Sequence, residues 1–348
     1  MTQDILFIRE GRAGRIRLNR PKAIHALTKD MCSAMIAALV EWRADPSVEI
    51  VLIDHADGRG FCAGGDVRML GESGSRDGAD ARAFFHEEYR LNHLLFTSVK
   101  PIVAFMDGIT MGGGVGISQP AKYRVATENT RFAMPETAIG LFPDVGGGWY
   151  LSRLEGRVGQ FLALTGARVD GAECLWLKLA THYIPSQALG EVKARIAKEP
   201  ERVEGILGAA SATPPPARIA DNQVLLDKLF ASDSYEEILV ALEADGSDWA
   251  AKERGTLGTK SPQACKVSLR LLKEGAAKAD FADEMRMEYG VAAHVVQRHD
   301  FTEGVRAVLI DKHNRPRWDP PTPDAVSDHM IDQIFAPLPD DEQWTPLP

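Results

Sequence analysis

Three glycine-rich stretches, each placed just after a short apolar segment, constrain this chain more than any other feature. GRGFCAGGD (58–66) follows EIVLID, DGITMGGGVGIS (107–118) follows PIVAF, and MPETAIGLFPDVGGGWY (134–150) comes shortly after YRVATEN. Glycine inside a helix or strand is destabilising by roughly 0.5–1 kcal/mol relative to alanine. Runs of it therefore mark places where backbone turns tightly or lies against something. The apolar segments before the three stretches read as buried strands, and DGADARAFFHEEYRLNHLLF reads as a helix between the first two. Upstream, ILFIREGRAGRIRLN predicts two strands about a Gly-Arg-Ala-Gly turn. Thr28 is placed to cap a helix through Trp42, with Met31, Met35, Leu39 and Trp42 along one face. Repeated strand–helix units of this kind imply an α/β architecture.

Past about residue 160 the strand signal fades. VDGAECLWLKLA predicts a helix with Asp170 and Glu173 at capping-box spacing. Pro214, Pro215 and Pro216 mark a loop. SYEEILVALEA, SPQACKVSLRLLKEGA and the segment from Phe281 to Val296 read as helices, and the proline-rich end is expected to wrap the surface. The 348 residues thus divide into a core over 1–205 and a helical C-terminal region with a proline-rich tail over 206–348.

A net charge of −9 argues against a general nucleic-acid binder, though not against one anionic small molecule held by a local basic patch. No run of 18 apolar residues suggests a membrane span. The four cysteines, Cys32, Cys62, Cys174 and Cys265, form no CxxC pair and no Cys/His metal spacing. With no leader-like pattern in MTQDILFIREG, they suggest a reducing compartment, most simply the cytoplasm.

Each glycine-rich stretch has a plain reading beside a chemical one. GRGFCAGGD is a tight turn or a loop whose N–H groups approach a ligand, and Cys62 within it reads as a packed small residue rather than a nucleophile. In DGITMGGGVGIS a helix starting near Gly113 would aim free N–H groups and the positive end of its dipole at a developing negative charge, as an oxyanion hole requires. Neither GxGxxG nor GxxxxGK[ST] is present, and Ser118 does not sit in a GxSxG elbow. In the third stretch, Glu136 after Pro135 and Asp144 after Pro143 are either cap and turn residues or a carboxylate pair with raised pKa values in an apolar cleft. Glu87 and Glu88 point to different sides of their helix and read by default as a solvated face.

The order of the three stretches resembles the crotonase (enoyl-CoA hydratase/isomerase) superfamily. ITMGGGVGIS, FAMPETAIGLFPDVGGGWYL, LALTG, THYIP and EGVRAVLIDK resemble, more closely, its 3-hydroxyisobutyryl-CoA hydrolase branch. That resemblance implies a spiral of β-β-α repeats forming two roughly perpendicular sheets, with C-terminal helices. It also implies an acyl-CoA substrate with no further cofactor and no metal, and self-association as a trimer or hexamer unless the long C-terminal portion covers that surface. By the same resemblance the N–H groups of Ala63 and Gly113 form the oxyanion hole, and Glu136 and Asp144 are catalytic. Glu88, Gly113, Glu136 and Asp144 contact the acyl portion, and Lys22 and Asp66 are assigned to the CoA portion. Because CoA carries phosphates, Arg20 and Lys22 are the basic candidates to hold them, against the plain reading of a solvated basic surface.

Hydratases resemble GGGxE in the second stretch, whereas here Gly116 stands in place of the glutamate. The reaction expected is therefore hydrolysis of 3-hydroxyisobutyryl-CoA to 3-hydroxyisobutyrate and CoA, a step of valine catabolism. Glu136 would act as nucleophile or general base, and Asp144 on the hydroxyl or the departing thiolate. The competing readings are an enoyl-CoA hydratase/isomerase that recruits Asp144, and a non-catalytic acyl-CoA-binding protein.

Overall fold

The structure, a computed structural model, describes residues 3–347. Among these residues ten strands form two sheets. The strands are β1 (Ile5–Glu10), β2 (Ala13–Leu18), β3 (Ile50–His55), β4 (Gly60–Cys62), β5 (Ile102–Met106), β6 (Ile109–Met111), β7 (Tyr123–Ala126), β8 (Arg131–Ala133), β9 (Val169–Asp170) and β10 (His182–Tyr183). The six-stranded sheet has the order β1-β2-β3-β5-β7-β10 and the four-stranded sheet β4-β6-β8-β9. Only the β1–β2 hairpin and the β8–β9 pair are antiparallel. Chain order alternates between the sheets: β3 then β4, β5 then β6, β7 then β8. Each turn of the spiral therefore leaves one strand in each sheet, and the segments after β4, β6 and β8 gather at the end of the smaller sheet.

That regularity explains a difference from the sequence reading. The stretches beginning at residues 58 and 107 were expected as loops, yet each opens with a three-residue strand. Such strands are too short to show alternation, and β9 and β10 are shorter still. The β1–β2 turn is also tighter than predicted, because Ala13 and Gly14 already pair with Glu10 and Arg9.

Three helices of the spiral bear on the site: α1 (Lys29–Ala44), α2 (Val67–Gly74) and α3 (Ala79–Phe96). The Thr28 side chain accepts from the Met31 N–H, capping α1 as predicted, and Met31, Met35, Leu39 and Trp42 are buried along its inner face. Then come α4 (Gly113–Ser118) and α5 (Gly147–Leu151), and, from the C-terminal region, α6 (Pro262–Ala277) and α7 (Phe281–Val295). One apolar cluster takes in residues from Ile5 to Trp344, on both sides of residue 205. α7 packs on α3, with Phe281 stacked on Phe96 at 4.1 Å between ring centroids. The proline-rich end follows the surface but also anchors in it: Trp344 is fully buried, and its indole N–H donates to the His86 carbonyl at 3.1 Å.

Candidate active site

The chemistry-bearing side chains come from α3 and from the second and third glycine-rich stretches. On α3, Glu88, Tyr89 and Asn92 are spaced to share a face toward α4, and all three are buried. Gly112 holds φ +49, and the helix begins at Gly113. A Cβ on Gly113 would lie 2.5 Å from Glu88 Oε1, and one on Gly112 would lie 3.2 Å from Glu136 Oε1. Bare backbone is thus what lets the N-terminal end of α4 meet the two carboxylates. Glu136 starts the 3₁₀ turn Glu136–Ile139 after Pro135, a turn that no side chain caps at its N-terminal residue. Asp144 Oδ2 accepts a 2.8 Å hydrogen bond from the Tyr89 hydroxyl. Both carboxylates of the third stretch are thus buried beside the second stretch rather than spread over a solvated turn.

Glu88, Glu136 and Asp144 are 2%, 5% and 5% exposed, so each is ionised against a desolvation cost. Burial, reinforced by the charges of Asp144 and Glu136, pushes Glu88 well above the usual carboxylate range. Burial and the charge of Asp144 do the same for Glu136. Burial raises Asp144 to about 6, partly offset by the Tyr89 hydrogen bond. Glu88 Oε1 and Glu136 Oε2 have no hydrogen-bond partner. The default of a solvated face fails for Glu88 but fits its neighbour, since Glu87 turns away and accepts from Ser33 Oγ at 2.5 Å.

The turn after Asp144 is held from the C-terminal region. Val145, a β-branched residue, sits at φ +54, a conformation that is strained for any side chain and more so for this one. Glu288 of α7 fixes it by accepting from the Gly146 N–H at 2.8 Å and the Gly148 N–H at 3.1 Å. Gly147 N–H closes the turn onto the Asp144 carbonyl at 2.8 Å. A Cβ at Gly116 would lie 2.6 Å from Val145 Cβ and 2.7 Å from Asn92 Nδ2. The space in which a glutamate at position 116 would begin is therefore filled by the neighbours of Asp144.

One expected donor is corrected. The Ala63 N–H is engaged with the Ile24 carbonyl at 2.9 Å, within a clamp in which Leu27 N–H donates to Gly64 O and Asp66 N–H to Leu27 O. It is not free to receive a substrate oxygen. Two residues on, the Gly65 N–H has no acceptor among the described residues, and neither has Gly113 N–H. A Cβ on Gly113 would lie 3.2 Å from the Gly64 carbonyl carbon, the atom bonded to the Gly65 nitrogen, so these two free N–H groups are neighbours.

The residues expected at the CoA portion divide. Lys22 lies exposed on the 3₁₀ turn Pro21–Ala23 with no ion-pair partner among the described residues. Asp66 is tied to Arg20 by a 2.9 Å ion pair, and Arg20 also donates to the Ala26 carbonyl, so both brace the clamp. Cys62 is inert, as its plain reading required: burial raises its thiol to about 12 and it lies against the His25 carbonyl at 3.3 Å. Among the described residues no cluster of three or more His, Cys, Asp or Glu side chains could hold a metal. No helix among the described residues is long and apolar enough to cross a membrane.

Tyr89, Asn92 and Glu288 were not foreseen. Only the α3 spacing 88-89-92 carried a signal, once Glu88 was known to face inward; nothing local marks Glu288, which lies 142 residues from Gly146.

The enoyl-CoA hydratase/isomerase family model matches residues 13–335. The 3-hydroxyisobutyryl-CoA hydrolase of Gallus gallus mitochondria is 43% identical over 344 residues, covering 96% of this chain and 89% of that protein. Among solved structures, a carnitinyl-CoA dehydratase from Mycobacterium thermoresistibile is similar with a TM-score of 0.94 at 38% identity, over 99% of both chains. An enoyl-CoA hydratase from Rhodobacter sphaeroides is similar with a TM-score of 0.91 at 37% identity, over 99% of this chain and 100% of that one. The chain belongs to the crotonase (enoyl-CoA hydratase/isomerase) family, in its 3-hydroxyisobutyryl-CoA hydrolase branch.

Proposed function

We propose that the protein hydrolyses a short-chain 3-hydroxyacyl-CoA thioester, with 3-hydroxyisobutyryl-CoA as substrate and 3-hydroxyisobutyrate and free CoA as products, a step in valine breakdown. The observation that carries this reading is the filled space at Gly116. Hydration of an alkene requires acid and base on both of its carbons, and here Val145 and Asn92 stand where one of those groups would start. What remains is a buried carboxylate, Glu136, whose Oε1 lies 3.2 Å from where a Cβ on Gly112 would be, beside the free N–H group of Gly113, a set suited to acyl transfer.

In this reading the thioester oxygen lies between the N–H groups of Gly65 and Gly113. Gly65 replaces Ala63 in that role. Glu136 either takes a proton from a water that attacks the carbonyl carbon, or attacks that carbon itself to give an anhydride that water then opens. In both routes the C–S bond breaks, a C–O bond forms, and the departing thiolate is protonated to CoA thiol. Asp144, held by Tyr89 and raised to about 6, is placed to lend that proton or to orient the hydroxyacyl group. Exposed Lys22 is the candidate contact for a CoA phosphate. The four cysteines are free and buried, in keeping with a reducing compartment such as the cytoplasm.

The names of the two solved relatives favour a second reading, hydration or dehydration, and the two are separable on an acyl-CoA panel. Release of free thiol from 3-hydroxyisobutyryl-CoA, with slow loss of crotonyl-CoA absorbance, is expected. Fast crotonyl-CoA hydration without thiol release would reverse the assignment. CoA binding with turnover of no ester would make the protein a binding module.

A further inference from the structure

Asn92 is fully buried, and neither its amide nitrogen nor its amide oxygen has a hydrogen-bond partner. A buried, unmade hydrogen bond costs about 1–3 kcal/mol per group, so an amide that the protein leaves unpaired at both ends points to a partner from outside the chain. Its surroundings say where that partner lies. Asn92 stands one helical turn beyond Glu88 on α3, and its Nδ2 comes within 2.7 Å of where a Cβ on Gly116 would be. Gly116 itself is about one turn along α4 from Gly113, and Val145, the residue after Asp144, closes the same space. The amide thus stands beside Gly116, roughly 5 Å along α4 from the N–H group that marks the thioester oxygen. It lies on the side of Asp144.

We infer that Asn92 is a specificity-determining residue that hydrogen-bonds the hydroxyl on the acyl group's third carbon. This inference rests on the hydrolase reading above. Two carbons separate that hydroxyl from the carbonyl carbon, and they plus a hydrogen bond of about 2.9 Å reach at least as far as the rise along α4 from Gly113 to Gly116, beside which Asn92 stands. A hydroxyl is both donor and acceptor, and an asparagine amide offers one of each at any pH, which an ionised carboxylate does not. An acyl group without the hydroxyl would leave the amide empty, and sites built to hydrogen-bond a substrate hydroxyl discriminate strongly against analogues lacking it.

The test compares 3-hydroxyisobutyryl-CoA with isobutyryl-CoA, in the wild type and in Asn92→Leu, by thiol release. Leucine removes both orphan ends at similar volume, so the variant is expected to fold with undiminished stability. Its kcat/KM for the hydroxy substrate should fall at least tenfold while that for isobutyryl-CoA holds or rises, collapsing the preference. Asn92→Ser supplies the same comparison if the leucine variant does not fold. A preference within threefold of wild type overturns the inference, whether or not both activities fall together with stability, the pattern expected of an amide that holds a structural water. Should the wild type release no thiol from either ester, the hydrolase reading fails by itself. The relative Kd of the two esters, compared between wild type and variant by calorimetry, then decides on Asn92 by the same threefold criterion.

Discussion

Replacing Asp144 by asparagine removes a charge that the folded chain holds under strain. Burial raises the Asp144 carboxyl from 3.8 to about 6, so the folded state binds its proton more tightly than the unfolded chain does. Below pH 3.8 the group is protonated in both states and costs nothing. Between 3.8 and about 6 the unfolded chain ionises first, and stability falls as pH rises. Above about 6 both states are ionised and the fold bears the whole difference, about 3 kcal/mol from some two pKa units. Neutral asparagine avoids that difference while its amide oxygen still accepts from Tyr89. Asp144→Asn should therefore be more stable than wild type by up to about 3 kcal/mol at pH 8, with the gain shrinking toward zero near pH 4. Urea unfolding of both proteins at the two pH values measures it. The same variant should lose thiol release by roughly 10²-fold or more, the scale of a positioned acid or base. Equal or lower stability at pH 8 would refute the claim that Asp144 is a buried, destabilised charge; activity near wild type would refute its role.

Three further outcomes follow from the same geometry. Gly113→Ala should lower kcat by about 10²–10³-fold, because its Cβ would meet Glu88 Oε1 at 2.5 Å and displace an oxyanion donor; steady-state kinetics reads this directly. Gly116→Glu should not create a hydratase: its Cβ would meet Val145 Cβ at 2.6 Å, the expected destabilisation is about 1–3 kcal/mol, and crotonyl-CoA absorbance should stay unchanged. Glu288→Gln leaves one of two buried N–H groups without its acceptor, so it should cost about 1–3 kcal/mol and lower kcat more than it alters KM, as loosening of the Asp144 turn requires.

Much of this was legible because the signals are local. Thr28 capping α1 and the reciprocal bonds of Asp170 and Glu173 follow from spacings of three residues. Glu136 and Asp144 stood out because prolines and glycines surround them in an otherwise apolar run. The strands β4, β6 and β8 escaped because three residues carry no periodicity. Ala63 was expected to offer a free N–H and does not, for a different reason. A sequence shows that a loop is rich in small residues, but not which of its N–H groups is already bonded to Ile24 across the β4 edge. Tyr89, Asn92 and Glu288 depend on pairings between distant segments, 55 residues for Tyr89 with Asp144 and 142 for Glu288 with Gly146. No local pattern encodes those.

The central claim, hydrolysis driven by Glu136 in a site stripped of hydratase chemistry, can be read on one substrate with two detectors. 3-Hydroxyisobutyryl-CoA yields free thiol if its C–S bond is cleaved, and an enoyl absorbance if it is dehydrated. The account predicts thiol release without an enoyl signal in wild type, and loss of that release by about 10²–10⁴-fold in Glu136→Gln. An enoyl signal without thiol, or full thiol release by Glu136→Gln, would contradict it.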